Sequence, residues 1–173
     1  RAGLAIPRST LAQWVGTCGV RLQPSVDALR AELLTHRVLH ADETPVAMLK
    51  PGAGKTHRAY LWAYASGTFE DMKAVAYDFC ESRSGEHARQ FLGGWSGSLV
   101  CDDFSGYKAL MTPGVTEAGC LAHARRKFFD LHATGKSQIA ETALELLGKV
   151  YDIEREIRDA TADERKAVRQ QRT

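Results

Sequence analysis

The sequence predicts an α/β domain: a mixed sheet opened by three antiparallel strands, with later strands added in parallel and helices on its faces. Three observations predict it. From Val38 onward the apolar period shortens from helical to extended, in three strand-like runs separated by short polar or Gly-rich stretches. After the third run, helix-like and strand-like segments alternate, which requires crossover connections and hence parallel pairing. The chain has 173 residues, 44% of them hydrophobic and 25% charged, enough for one buried core with small appendages.

The elements follow in order. Residues 8–37 read as helical. Ser9 is placed to cap Thr10–Val15, and Pro24 with Ser25 is placed to start a second helix with Val26, Leu29, Leu33 and Leu34 on one face. Arg37–Leu49 reads as a strand, broken or ended near Pro45, because proline cannot donate to a ladder. Ala59–Ala65 and Lys73–Phe79 are the second and third strands. Gly85–Trp95 is a helix with Ala88, Phe91 and Leu92 on one side, ended by Gly93 and Gly94. Ser98–Cys101 is a short apolar strand, and Tyr107–Met111 a turn or two of helix stopped by Pro113 and Gly114. Thr116–Leu121 is the fifth strand, and Ala122–Leu131 is helical.

The resulting order, β-β-β-α-β-α-β-α, is ribonuclease-H-like, although other α/β folds share it. In that order the first and fourth strands are neighbours at the sheet centre. Residues 136–173 read as one long helix or a broken pair. Ala143, Leu146, Val150, Ile153 and Ile157 form a heptad stripe, with Glu141, Glu145, Glu154 and Glu156 off it, as expected of a packed helical hairpin with a solvated face. The expected organisation is a helical segment at 1–37, an incomplete catalytic core at 38–135 and a helical insertion, or its start, at 136–173.

Composition excludes several classes. A net charge of +2 and a pI near 8.4 permit nucleic-acid binding without arguing for it. Cys18, Cys80, Cys101 and Cys120 show no disulfide spacing and suit a reducing compartment. No segment approaches 18 apolar residues, so no membrane association is expected. The chain opens at Arg1 and closes on a charged run, and both ends are expected to continue in a longer protein. The string Gly52-Ala-Gly-Lys-Thr56 imitates the end of a phosphate-binding loop, but the glycine that such a loop needs falls at Leu49, and Pro51 lacks an N–H. The following His57–Tyr64 is β-prone rather than helical, so the stretch is expected to be a hairpin turn.

Two acidic sites sit at strands: Asp42 and Glu43 on the first, Asp102 and Asp103 at the end of the fourth. Carboxylates on adjacent strands repel one another without a cation. Mg²⁺ is suited to one or two such carboxylates plus waters and substrate phosphate, and a pair of ions serves phosphodiester chemistry. On spacing alone, solvated strand-end acids remain an equal alternative. Cys120-Leu-Ala-His123 is half of a zinc spacing with nothing to complete it. Cys120 is expected to be a buried strand residue, and His123 to open the next helix near the acids. Lys55 and Arg58 on the hairpin, with Arg125, Arg126 and Lys127, offer cations near the acids for DNA phosphates, or are simply a solvated face.

Four strings in order carry a resemblance that covers nearly the whole chain: Leu39-His-Ala-Asp-Glu-Thr44, Asp102-Asp-Phe-Ser-Gly-Tyr107, Gly119-Cys-Leu-Ala-His-Ala-Arg-Arg-Lys-Phe128 and Leu147-Gly-Lys-Val-Tyr-Asp-Ile-Glu-Arg-Glu-Ile157. The chain resembles the DDE transposases of the insertion sequence sixty-six family. The resemblance implies a ribonuclease-H-like core that cuts and joins DNA, at transposon ends and target, with a two-metal Mg²⁺ or Mn²⁺ site, in the bacterial cytoplasm at the nucleoid. Asp42 matches the first catalytic and metal-binding aspartate, and Asp102 the second. Asp103 and Phe104 stand where the family has Gly-Tyr, which leaves Asp102 or Asp103 as the ligand. Strand alternation admits only one of them, and Asp102 is favoured. Glu43, Asp103 and His123 would support the ligands or contact phosphate, and Lys55, Arg58, Arg125, Arg126 and Lys127 would contact DNA. The third acid is expected in an N-x-x-E-x-x-x-R segment. The sequence contains no Asn, so that acid is expected beyond residue 173, and Glu154 is a poor stand-in. The chain alone is therefore expected to bind metal weakly and to be inactive, with self-association through the C-terminal helix a further expectation. The alternative is a non-catalytic DNA-binding or assembly module.

Overall fold

In the computed structural model, which describes residue 3, residues 5–111 and residues 113–173, the first element is one helix where the sequence predicts two. Helix α1 (Arg8–Leu33) runs straight through Pro24, and Pro7, not Ser9, occupies its N-cap position. A proline removes one intrahelical donor and crowds the carbonyl four residues back, a local penalty that leaves the turns on either side intact. Leu29, Leu33 and the following Leu34 pack on the core. Arg30 fixes that end by donating from Nε to Phe91 O (2.8 Å) and from Nη2 to Gln90 O (3.0 Å).

Strand β1 (Val38–Leu49) likewise continues through Pro45. Its parallel pairing with β4 (Gly97–Cys101) covers only Val38–His40, so Pro45 lies where that side of the strand is already an edge and a missing N–H costs little. On the other side β1 pairs antiparallel with β2 (Thr56–Ser66), from Leu39↔Ser66 to Leu49↔Thr56. The loop between them is a hairpin turn, with Gly52 at φ +82° and Gly54 at φ +63°, conformations that a side chain would strain. No helix follows it, so the phosphate-loop imitation has neither dipole nor cradle.

Strand β3 (Val75–Cys80) completes the antiparallel trio. Helix α2 (Gly85–Leu92) starts where the Ser84 side chain accepts from Glu86 N and ends at Gly93. After β4 comes the short α3 (Ser105–Lys108), two residues earlier than the sequence predicts, then β5 (Val115–Gly119) parallel to β4. The sheet order is β3-β2-β1-β4-β5, so the first and fourth strands are indeed neighbours. Leu39, Ala41, Trp62, Tyr64, Ala76, Leu99 and Cys101 alternate onto one buried face. Ala88, Phe91, Leu92, Trp95 and Tyr107 cover it, with Phe91 stacked on Tyr64 at 3.7 Å between ring centres.

Residues Arg1–Gly119 form one compact unit and Cys120–Thr173 a second. The second holds α4 (Leu121–Gly135), α5 (Gln138–Glu156) and α6 (Ala162–Arg172). Cys120 is the half-buried N-cap of α4, not a buried strand residue: the strand stops at Gly119 and Leu121 is already helical. The tail is the broken pair, with a Thr161–Glu164 capping box restarting the chain as α6. Ile153 and Ile157 are buried and Ala143 and Val150 half-buried, but Leu146 is 57% exposed and Leu147 takes its place. A straight helix repeats every 3.6 residues, so a 3.5-residue stripe drifts off the packed face.

Candidate active site

Asp42 and Glu43 are adjacent in sequence and point to opposite faces of β1, as strand alternation demands. Glu43 follows Leu39 and Ala41 onto the buried face, opposite Trp62, whereas Asp42 is exposed, opposite Ala63. The Asp42 carboxylate accepts from Glu43 N at 3.0 Å. The β1–β4 ladder ends at His40↔Val100; Asp42 lies two residues further along β1, and Asp102 directly follows Cys101, the last residue of β4. By alternation Asp42 shares the face of His40.

Asp102 is half-buried, and its Oδ1 accepts from Phe104 N at 3.0 Å, a turn that leads into α3. Asp103 turns outward with its side chain 77% exposed, 3.0 Å from Lys108 Nζ. Lys108 also reaches Glu117 at 2.7 Å. Of the two acids that the sequence leaves as candidates, Asp102 is half-buried and Asp103 exposed.

Glu43 has the most enclosed carboxylate, its side chain only 1% exposed. Unpaired, a buried carboxylate would cost several kcal/mol. Here both oxygens are used: Oε1 accepts from Arg83 Nε at 2.8 Å and also from Nη2, and Oε2 accepts from the Tyr107 hydroxyl at 2.7 Å. The Arg83 guanidinium stacks 3.8 Å above the Phe104 ring. Burial, followed by the Glu43 hydrogen bond, holds the Tyr107 hydroxyl far above its ordinary pKa, so it stays a donor. Burial lowers the Arg83 pKa, but its hydrogen bonds to Glu43, then the charges of Glu43 and Asp102, outweigh that and raise it. Sequence reasoning singled out Glu43 for a supporting or phosphate-contacting role but missed Arg83 and Tyr107. The available signal was the parity of Glu43 with Leu39 and Ala41, which calls for a buried cationic partner.

Asp42 and Asp102 could supply oxygen donors of the kind that a hard divalent ion takes. Among the described residues no group of three or more His, Cys, Asp or Glu side chains gathers as a metal cage. Glu154 is engaged elsewhere, accepting from Arg169 Nε and Nη2 at 2.6 Å each. Cys101 faces the core beside Leu99, and burial, then the charge of Glu117, pushes its thiol up to about 11.

The structure does not bring the hairpin cations to the acids. Arg58 pairs with Ala47, five residues along β2 from the partner of Asp42. That is about 17 Å at the rise of an extended strand. By alternation Arg58 also shares the face of Glu43, not of Asp42. Lys55 lies at the tip of the same hairpin, just before β2. In the second unit, Arg125, Arg126 and Lys127 are exposed on α4, and His123 is half-buried in its first turn. No described helix is long and apolar enough to cross a membrane.

A model of the transposase IS66 family matches residues 1–173. The uncharacterized protein y4qI of Sinorhizobium fredii is 38% identical over 187 aligned residues, which take in 100% of this chain and 34% of that protein. Two further uncharacterized proteins of the same organism, y4jD and y4hP, are 35% and 31% identical over 99% of the chain. The chain spans about a third of the length of each of these relatives, 34–36%.

Proposed function

Because the chain belongs to the IS66 family of transposases, we propose that its first unit is the greater part of a ribonuclease-H-like catalytic core that processes DNA. The strand order β3-β2-β1-β4-β5, with three antiparallel strands and two parallel additions, supports this. The observation that carries the reading is that β1, which bears Asp42, pairs in parallel with β4, whose last residue Cys101 is followed at once by Asp102. These two carboxylates would hold Mg²⁺ or Mn²⁺, which would activate the attacking oxygen and stabilise the leaving one. Asp42 presents its oxygens from a rigid central strand. Asp102 presents its own from a turn fixed by Phe104 N–H. Such fixed placement is what phosphoryl transfer asks of a protein that forms no covalent intermediate with its substrate. The substrate is DNA: hydrolysis at the transposon 3′ end, then attack of the freed 3′ hydroxyl on target DNA. The family reading also carries a bacterial cytoplasmic setting.

A third acid belongs to this chemistry, and Glu154 does not supply it, being committed to Arg169 within the second unit. The whole protein therefore performs the reaction, and residues 1–173 alone bind metal weakly and do not cleave. Arg125, Arg126 and Lys127 would contribute phosphate contacts. Lys55 and Arg58, far along the hairpin from Asp42, would touch DNA only well away from the cleaved bond.

Calorimetric titration with Mn²⁺ tests the assignment. The native chain should bind at millimolar concentration, and Asp42→Asn and Asp102→Asn should each abolish binding. Asp42→Asn should also raise the metal-free melting temperature, since it relieves repulsion between two carboxylates. A melting temperature that falls instead, with metal binding unchanged, would mark Asp42 as a structural acid and favour a non-catalytic DNA-binding module.

A further inference from the structure

We infer that Glu43, Arg83 and Tyr107 form a positioning device that ties the segment carrying Asp102, just after β4, to β1 beside Asp42. The inference rests on the proposed role of those two aspartates and adds three residues to it.

The connection can be followed atom by atom. Asp42 accepts from the backbone N–H of Glu43 (3.0 Å). The Glu43 side chain leaves the opposite face of β1 and takes Arg83 on one oxygen and Tyr107 on the other. Arg83, from the segment between β3 and α2, sits over the Phe104 ring, its guanidinium carbon 3.8 Å from the ring centre. Tyr107 meets the same Phe104 ring edge-on at 5.9 Å, and its N–H donates to Phe104 O at 3.0 Å. Phe104 N–H in turn donates to Asp102. The Asp102–Tyr107 segment is thus clamped, through Phe104, to the residue next to Asp42. The clamp acts beyond the β1–β4 ladder, whose register ends at His40↔Val100.

An ion pair buried at its carboxylate and open at its guanidinium, as Glu43–Arg83 is, contributes little net stability. What it supplies is direction. The planar guanidinium fork can satisfy Glu43 and stack on Phe104 in one orientation only, and Lys cannot reproduce it. Supporting groups of this kind orient the residues that hold a metal, and removing one typically weakens metal affinity by about 10- to 100-fold.

The test is a Mn²⁺ titration of the whole chain, read as paramagnetic broadening of the backbone amide signals around residues 42 and 102. Glu43→Gln and Arg83→Met, first checked for folding by circular dichroism, should each weaken Mn²⁺ binding by about tenfold or more. The double variant should be no worse than the weaker-binding single, because both substitutions break one link. Arg83→Lys should not restore affinity. If Glu43→Gln does not fold, Arg83→Met and Tyr107→Phe make the same comparison, each leaving Glu43 one partner. A cluster that serves only the fold would lower the melting temperature and leave Mn²⁺ affinity at the native value. That result would overturn the inference while Asp42→Asn still abolished binding. If the native chain shows no broadening at these residues, or Asp42→Asn and Asp102→Asn leave it unchanged, the acid-pair reading itself fails and the positioning role falls with it.

Discussion

Glu43 and Asp42 differ by one step of a strand, and that step decides what each carboxylate can do. Asp42 is exposed to solvent. Glu43 is desolvated, and its negative charge is committed to Arg83 and Tyr107. Glu43→Ala should therefore destabilise the chain by about 1–3 kcal/mol in chemical denaturation, because it leaves the Tyr107 hydroxyl buried without an acceptor. Asp42→Ala, on an exposed position of the same strand, should cost far less. Near-equal losses for the two would mean that the buried cluster is not closed as described.

At the scale of elements, the break between α5 and α6 is bridged by two ion pairs, Arg169–Glu154 and Arg172–Glu156. The Glu154 pKa lies below its ordinary 4.5, chiefly because of the Arg169 hydrogen bond, with burial opposing and the Arg169 charge assisting. A carboxylate depressed in this way stabilises the folded state above its ordinary value, and that contribution disappears as pH falls through the lower, folded-state value. The helical pair should thus lose stability on acidification below about pH 4.5, by about 0.5–1 kcal/mol given how open the pair is to water. Arg169→Gln should remove this pH dependence, measured as melting temperature against pH. A profile unchanged in the variant would place the acid sensitivity elsewhere.

At the scale of the molecule, a net charge of +2 is too small to draw DNA by itself, so binding depends on where the cations sit. Arg125, Arg126 and Lys127 make an exposed cluster on one helix. If all three touch phosphates, replacing them with Gln should flatten the dependence of log affinity on log salt by about 2.7, at roughly 0.9 per contact. The same replacement at Lys55 and Arg58 separates a second contact region from the first. An unchanged salt slope would identify the cluster on α4 as a solvated face.

Much of this protein was legible in order and period. The shift from helical to extended spacing at Val38, the glycines of the hairpin and the alternation of later elements specify which segments are strands and which helices, since these depend on local sterics and on one buried face. The breaks expected at Pro24 and Pro45 did not occur, because a proline's cost depends on whether its neighbours need the missing donor, and only the assembled helix and sheet edge settle that. The partnership of Glu43 with Arg83 and Tyr107 joins residues 40 and 64 positions apart. No local pattern encodes such a meeting. It exists because the chain returns twice to the same end of β1, where a buried charge had to find its counterpart.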